Sequence, residues 1–327
     1  MTVKDFGTTS ADAPVREVTI GTGDLTLKLI EWGCVLRDLR FNPLDRPLTL
    51  GLETIEDYET RSPHFGAIAG RFANRIRGGR FSIDGESFQA TRNQDGETTL
   101  HGGAFGFGKS LWRLEDHGPD HAIFAITHAD GQEGFPGEIS ATCAYRMDGG
   151  AISVELTATA DRPTLCNLAQ HSYFNLSDEP TVNDHVLEMA ADRWTPLGDD
   201  LVPTGEVRAV ADDLDFRAGR SLRDQPIDLN FCLADQRRAT PAFAARLTGG
   251  ALALTLETTE PGLQLYTGDK VNLPAIGLGG RCYGGRAGVC MEAQVWPDAP
   301  NHPAFPSGVL RPGETYRQET VLRIDKA

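Results

Sequence analysis

Helical pattern is what this sequence has least of. No segment of its 327 residues sustains a 3.6-residue apolar period, which argues against alternating strand–helix units and a parallel sheet. No run of ~18 apolar residues occurs, so no segment is read as crossing a bilayer. The opening Met1-Thr2-Val3-Lys4-Asp5-Phe6 lacks the apolar stretch of a secretory leader. Positive charge is also scarce. The 31 Lys and Arg against 46 Asp and Glu leave a net charge of −15, which repels phosphate backbones and anionic lipid, so neither nucleic acid nor a membrane surface is an expected partner. The densest basic stretch, Arg71 to Arg80, is broken up by glycine and apolar residues. The six cysteines (Cys34, Cys143, Cys166, Cys232, Cys282 and Cys290) form no C-x-x-C pair. They read as reduced, mostly buried thiols in the cytoplasm. The eight histidines include no H-E-x-x-H, so no metal site is expected. No G-x-S-x-G elbow marks a serine nucleophile.

What is present is period-two alternation. Leu25-Thr26-Leu27-Lys28-Leu29-Ile30, Ile152 to Ala158 and Leu252 to Glu257 all alternate, as half-buried strands do. Three hairpins are legible: Arg80–Ile83 with Ser87–Ala90 across Asp84-Gly85, Cys143–Arg146 with Ile152–Val154 across Asp148-Gly149-Gly150, and Arg246–Thr248 with Leu252–Leu254 across Gly249-Gly250. Short helices are expected only at Glu53 to Thr60 and Pro241 to Arg246. No tandem repeat, low-complexity tract or linker interrupts the chain. The 36 glycines and 19 prolines suit many strands joined by tight turns. The fold class is therefore all-β, one large antiparallel β-sandwich domain spanning residues 1–327.

Two glycine-rich stretches invite a nucleotide and do not sustain it. Gly103-Ala104-Phe105-Gly106-Phe107-Gly108-Lys109-Ser110 matches G-x-x-x-x-G-K-S. That pattern binds phosphate only where a strand leads in and a helix N-terminus follows, and here Gly118-Pro119 ends any helix early. Gly277 to Gly285 has no flanking strand–helix pair and reads as a flexible surface loop.

The chemistry-bearing residues fall in separate short segments. Glu292 sits in an apolar strand, Gly288 to Trp296, and shares a face with Cys290, Gln294 and Trp296. Either that face is open to water, or Glu292 is buried at a cost of several kcal/mol and has a task. Asn167 to Leu176, taken as a strand, sends His171, Tyr173 and Asn175 to one face, a site wall or a set of structural polar groups. His101-Gly102-Gly103 leaves room for a ligand near the backbone, or forms a surface turn. Asn74-Arg75 offers an amide and a guanidinium fork suited to sugar hydroxyls, with Arg71 and Arg77 as further cations. Asp228, beside Ile227 and Leu229, and Gln264, alternating with leucines, face either a ligand or solvent. An acid, two histidines, amides and arginine suit metal-free proton transfer on a polar, uncharged substrate.

Together these segments resemble the aldose 1-epimerase (galactose mutarotase) family. The matching stretches are Gly70–Ile76, Leu100–Gly103, His171–Leu176, Asp228–Phe231, Leu263–Gly268 and Glu292–Gln294. They stand in the family's order and extend over nearly the whole chain. The Gly-Phe-Gly-Lys stretch after His-Gly-Gly also belongs to that pattern. The resemblance implies a β-sandwich of the galactose mutarotase type and interconversion of the anomers of a free aldose, without metal or cofactor. It implies Glu292 as general base and His171 as general acid. Asn74, Arg75, His101, Asp228 and Gln264 would hold the hydroxyls, and Tyr173 lies in the substrate-contacting stretch. Acid and base are expected on opposite sides of the ring, separated by the width of the sugar's reacting edge. Leu229 stands where the family commonly has His, and Ala169-Gln170 where it has a pair such as Thr-Asn; both bear on which sugar is preferred. An epimerase of a phosphorylated hexose, using Arg71, Arg75 and Arg77, is one alternative. The others are a non-catalytic sugar-binding protein and a glycosidase using Asp228 with Glu292. A monomer or a homodimer is compatible with all of this.

Overall fold

The computed structural model describes residues 1–44, 46–223 and 226–327. Three antiparallel sheets carry most of it. The largest has nine strands, in the order Arg113–His117, His121–His128, Ile139–Asp148, Ala151–Ala160, Tyr316–Lys326, Leu252–Thr258, Ala242–Gly249, Val186–Met189 and Arg220–Ser221. The last long strand of the chain thus lies between two hairpins and joins them. A six-stranded sheet runs Tyr173–Phe174, Val289–Gln294, Gly262–Tyr266, Asp228–Cys232, Arg193–Thr195 and Arg208–Ala209. A four-stranded meander (Thr2–Thr8, Pro14–Thr22, Leu25–Ile30, Val35–Phe41) covers one end. One buried apolar cluster draws on all three sheets, from Val18 and Leu27 through Phe124 and Leu156 to Met291 and Ile324. No helix among the described residues is long and apolar enough to cross a membrane.

The expected hairpins form. Arg80 pairs with Gln89 and Ile83 with Glu86, Asp148 with Ala151, and Gly249 with Leu252, which moves that turn to Gly250-Ala251. Thr54 caps the helix Ile55–Thr60 by accepting from the Asp57 N–H, as a threonine N-cap does. The expected helix at Pro241 to Arg246 is instead the strand Ala242–Gly249. A bulge between Phe243 and Ala245 buries the successive Ala244 and Ala245, so the alternation breaks where a strand would have shown itself. Gly277 to Gly285 is not a loose loop. It closes a hairpin of Leu273–Gly277 and Arg281–Tyr283, with Leu278 and Tyr283 buried. After Lys109 comes the strand Arg113–His117, not a helix, so the phosphate-loop pattern lacks its phosphate-binding helix. No disulfide joins the cysteines; five are buried and Cys282 is exposed.

Arg71 is a structural residue. Its guanidinium is buried and donates to the carbonyls of Pro136, Gly137 and Ala129 at 3.1, 2.8 and 3.2 Å, and it lies over the Phe135 ring. Burial lowers it to about 10. Arg71 therefore ties the loop ahead of Asn74 and Arg75 to the segment 129–137. Arg71→Ala is expected to leave the Pro136 and Gly137 carbonyls without the guanidinium donor and cost about 3 kcal/mol in a urea or thermal melt. Arg71→Lys is expected to recover little of that, because an ammonium cannot match the planar fork.

Candidate active site

The six-stranded sheet has two unlike faces. Phe174, Phe231, Leu263, Leu265, Val289, Met291 and Ala293 point into the main core. The residues between them in sequence take the other side. In an antiparallel ladder, residues directly opposite one another share a face, so the registers Tyr173 with Cys290, Gln264 with Glu292 and Asp228 with Tyr266 gather these groups on one polar surface. That surface is not open to water. Glu292 is 2% exposed and Gln294 0%, because the segments carrying His64, Asn74, Arg75 and His101 lie over it. Between sheet and loops is a cavity of about 320 Å³, lined among others by His64, Asn74, Arg75, His101, His171, Tyr173, Asp228 and Glu292.

At its floor, His171 Nε2 lies 3.5 Å from Glu292 Oε1. The base and acid implied by the family pattern are thus in contact rather than separated by a ring's width. Glu292 Oε2 is buried and without a partner. Burial pushes the Glu292 carboxyl well above the usual carboxylate range; the Asp228 charge pushes the same way and Arg75 opposes it. Burial also holds His171 down to about 4. Each group alone resists charge, so together they tend to hold one proton between them.

The remaining candidates form a connected polar wall. Asp228 accepts from Gln264 Nε2 at 2.6 Å and lies 3.7 Å from Arg75 Nη1. Arg75 donates through Nε to Gln94 Oε1 at 2.8 Å. Gln264 Oε1 is buried without a partner. The turn bearing Asn74 and the turn bearing His101 grip each other. The His101 N–H donates to Asn74 O, and the Asn74 N–H donates to His101 Nδ1 at 3.2 Å. That second bond occupies the Nδ1 lone pair, so the neutral ring carries its proton on Nε2.

His101, His171 and Glu292 bring potential ligand atoms within 4.8 Å of one another, yet a protonated Nε2 has no lone pair for a metal. His101 is held well below the ordinary imidazole value, first by burial and then by the charges of His64, His171, Arg75 and Lys109. The two glycines after His101 make room for the protein itself, not for a ligand. Gly102 has φ +85°, and a Cβ there would sit 2.1 Å from Gly70 O. Over Gly103 lies Glu133, which accepts from the N–H groups of Ala104 and Phe105.

All eight candidate residues line this cavity or bond to those that do. Tyr173 presents its ring, stacked on His171 at 5.1 Å and 17°, while its hydroxyl donates to Pro63 O. Asn175 is elsewhere: its amide donates to Glu179 O and Ala287 O, at a second cavity of about 280 Å³ with no imidazole and no buried acid in its lining. Arg77 leaves the site for Asp200 and Asp298. Sequence reasoning passed over His64, whose ring lies 4.7 Å from that of His101 and 6.0 Å from that of His171, and Lys109 and Lys270 in the lining. His64 follows Pro63 in a turn at φ +67° with no periodic signal. Lys109 was legible only as part of the refused phosphate motif.

The Aldose 1-epimerase family profile matches residues 16–323. Human galactose mutarotase is 37% identical over 337 aligned positions, covering 97% of this chain and 96% of the human protein. Aldose 1-epimerase of Escherichia coli (strain K12) is 32% identical, covering 95% of each. Among solved structures, a GalM/aldose epimerase homologue from C. elegans superposes with a TM-score of 0.89 at 30% identity, covering 95% of this chain and 99% of the other.

Proposed function

Because this chain belongs to the aldose 1-epimerase family and is a mutarotase, we propose that Glu292 is the general base and His171 the general acid of anomer exchange on a free aldose such as galactose or glucose. The observation that carries this reading is the buried contact of His171 Nε2 with Glu292 Oε1 beside the unpartnered Glu292 Oε2. A cyclic aldose is a hemiacetal, so the hydroxyl oxygen and the ring oxygen that must exchange protons are bonded to the same carbon. An acid and a base side by side serve two such oxygens better than a pair on opposite faces.

The anomeric hydroxyl donates to Glu292 Oε2, and the ring oxygen accepts from His171 Nε2. These bonds favour carboxylate and imidazolium over the neutral pair. Glu292 then takes the hydroxyl proton while His171 protonates the ring oxygen and the carbon–oxygen ring bond breaks. The aldehyde turns about its bond to the next carbon, and closure on its other face returns both protons. Ring opening converts carboxylate plus imidazolium into carboxyl plus imidazole, so the pair conserves its one proton. Each transfer contributes roughly 10²–10⁴-fold. Asn74, Arg75, His101, Asp228 and Gln264 hold the other hydroxyls, and Tyr173 walls the ring.

A free aldose is favoured over a phosphorylated one because Arg71 and Arg77 are committed to carbonyls and carboxylates outside the cavity. A glycosidase pairing is disfavoured because Asp228 is tied to Gln264 and Arg75. We read the reaction as metal-independent on the His101 tautomer, and the chain as one domain on its shared core. The unpaired buried thiols suit the cytoplasm.

Glu292→Gln is expected to keep sugar affinity while anomer exchange, followed by polarimetry of freshly dissolved α-galactose, falls about 100-fold or more, ~2.7 kcal/mol in barrier. Retention of more than a tenth of the rate would remove Glu292 from the role of base. Activity needs one proton on the pair, so kcat/KM should fall when the pair gains a second proton and when it loses its last. The acid limb is expected near pH 4, where burial holds His171, and the alkaline limb well above the ordinary carboxylate range. An acid limb near the ordinary imidazole value of about 6.5 would contradict the assignment. Dialysis against a chelator should leave the rate unchanged; loss of rate restored by a divalent cation would contradict the metal-independent scheme.

A further inference from the structure

The His171 ring has a second nitrogen, and the group that faces it is a thiol. Cys290 Sγ lies 3.5 Å from Nδ1, on the ring edge away from Glu292. The placement follows from strand register. Cys290 precedes Glu292 by two residues and shares its face, and it stands opposite Tyr173, whose ring stacks on His171. One strand therefore supplies a partner for each nitrogen of one imidazole.

We propose that Cys290 is a positioning residue for epimerisation, its sulfur holding the Nδ1 proton of the His171 imidazolium so that Nε2 alone delivers a proton to the sugar ring oxygen. This inference rests on the reading of His171 as the general acid. When Nε2 gives up its proton and the ring bond breaks, the neutral imidazole must keep its hydrogen on Nδ1, and that hydrogen needs an acceptor. Among the described residues Cys290 is the side chain hydrogen-bonded to Nδ1; a hydrogen bond from the ring to the residue's own backbone carbonyl also favours the imidazolium. Sulfur is a weak acceptor, so it fixes the tautomer without making the imidazole a stronger base. The molecule carries its own contrast: His121, with Nδ1 2.8 Å from Asp120 Oδ1, is raised above the ordinary imidazole value, chiefly by that bond. A carboxylate behind His171 would blunt its acidity in the same way. The thiol is itself buried, and burial keeps it protonated and unreactive. The other groups around His171 are the His64 and His101 rings, the Tyr173 ring and Glu292, with Arg75 and Asp228 acting on Glu292.

The test is polarimetric kinetics across pH for Cys290→Ala, Cys290→Ser and His171→Asn. Cys290→Ala is expected to lower kcat roughly tenfold with KM within about twofold. Cys290→Ser, whose oxygen is the stronger acceptor, should recover most of kcat and move the acid limb to higher pH. Wild-type kcat and acid limb in Cys290→Ala would overturn the inference, and so would equal damage in both variants with KM rising in parallel, which marks packing alone. If Cys290→Ala does not fold, the acid limb of Cys290→Ser decides: a shift supports the role and no shift overturns it. His171→Asn separates the two readings. If it stays active, the general-acid assignment fails and this inference with it. If it is inactive while Cys290→Ala is normal, only the role of Cys290 fails.

Discussion

A carboxyl group buried in the middle of a sheet is the constraint from which the site follows. Removing Glu292 from water costs several kcal/mol if it is charged and alone. The fold meets that cost by keeping it beside an imidazole that is equally reluctant to charge. Neither group is well matched to the empty cavity as an ion. In the proposed mechanism a sugar hydroxyl on one and a ring oxygen on the other change the balance, and the same two bonds define the reacting geometry. On that proposal the poorly solvated pair becomes well matched only when a substrate of the right shape is bound.

The sheet that holds the pair could not do so with ordinary patterning. Its apolar residues fill the main core, and its alternate residues form a polar face that a two-layer sandwich would normally leave in water. Here loops cover that face, and loops are usually the least rigid parts of a protein. These are anchored by buried polar contacts. Arg71 fastens the loop before Asn74 to the 129–137 segment. The Asn74 and His101 turns exchange backbone and ring hydrogen bonds. Glu133 holds the chain after Gly103. The resulting cavity is preorganised partly by residues outside its lining, Arg71 and Glu133, which is the support an acid–base site requires.

The sequence yielded the strands and the polar face because both obey a short period. Glu292, Gln264 and Asp228 fall on alternate positions of apolar strands, and Asp-Gly and Gly-Gly turns mark the hairpins. It misled where the period breaks. The bulge at Phe243–Ala245 imitates a helix. The glycines after His101 look like space for a ligand and are space for Gly70 and Glu133. Asn175 follows the alternation of His171 and Tyr173, but its amide bonds to Glu179 and Ala287 take it to a different cavity. Arg71 resembled a ligand-binding cation because a guanidinium serving three carbonyls has no local signature. His64 was silent for a related reason: its place is set by a turn at positive φ and by tertiary packing, and neither leaves a trace in composition or spacing.

The closeness of the proposed acid and base also lets a single strand dominate the proposed chemistry. If the two groups had to flank a pyranose, they would have to stand on elements a ring's width apart, and small movements between those elements would spoil the alignment. In the proposed mechanism both act on oxygens of one carbon, so Val289–Gln294 can carry the base and support the acid through Cys290, while the neighbouring strand Tyr173–Phe174 supports the same imidazole by stacking. Hydrogen-bonded strands move together. The ladder fixes Glu292 against Tyr173, the backbone hydrogen bonds of His171 with Gly66 and Ala67 hold the imidazole beside it, and in the proposed mechanism the loops are left to sort sugars by their remaining hydroxyls.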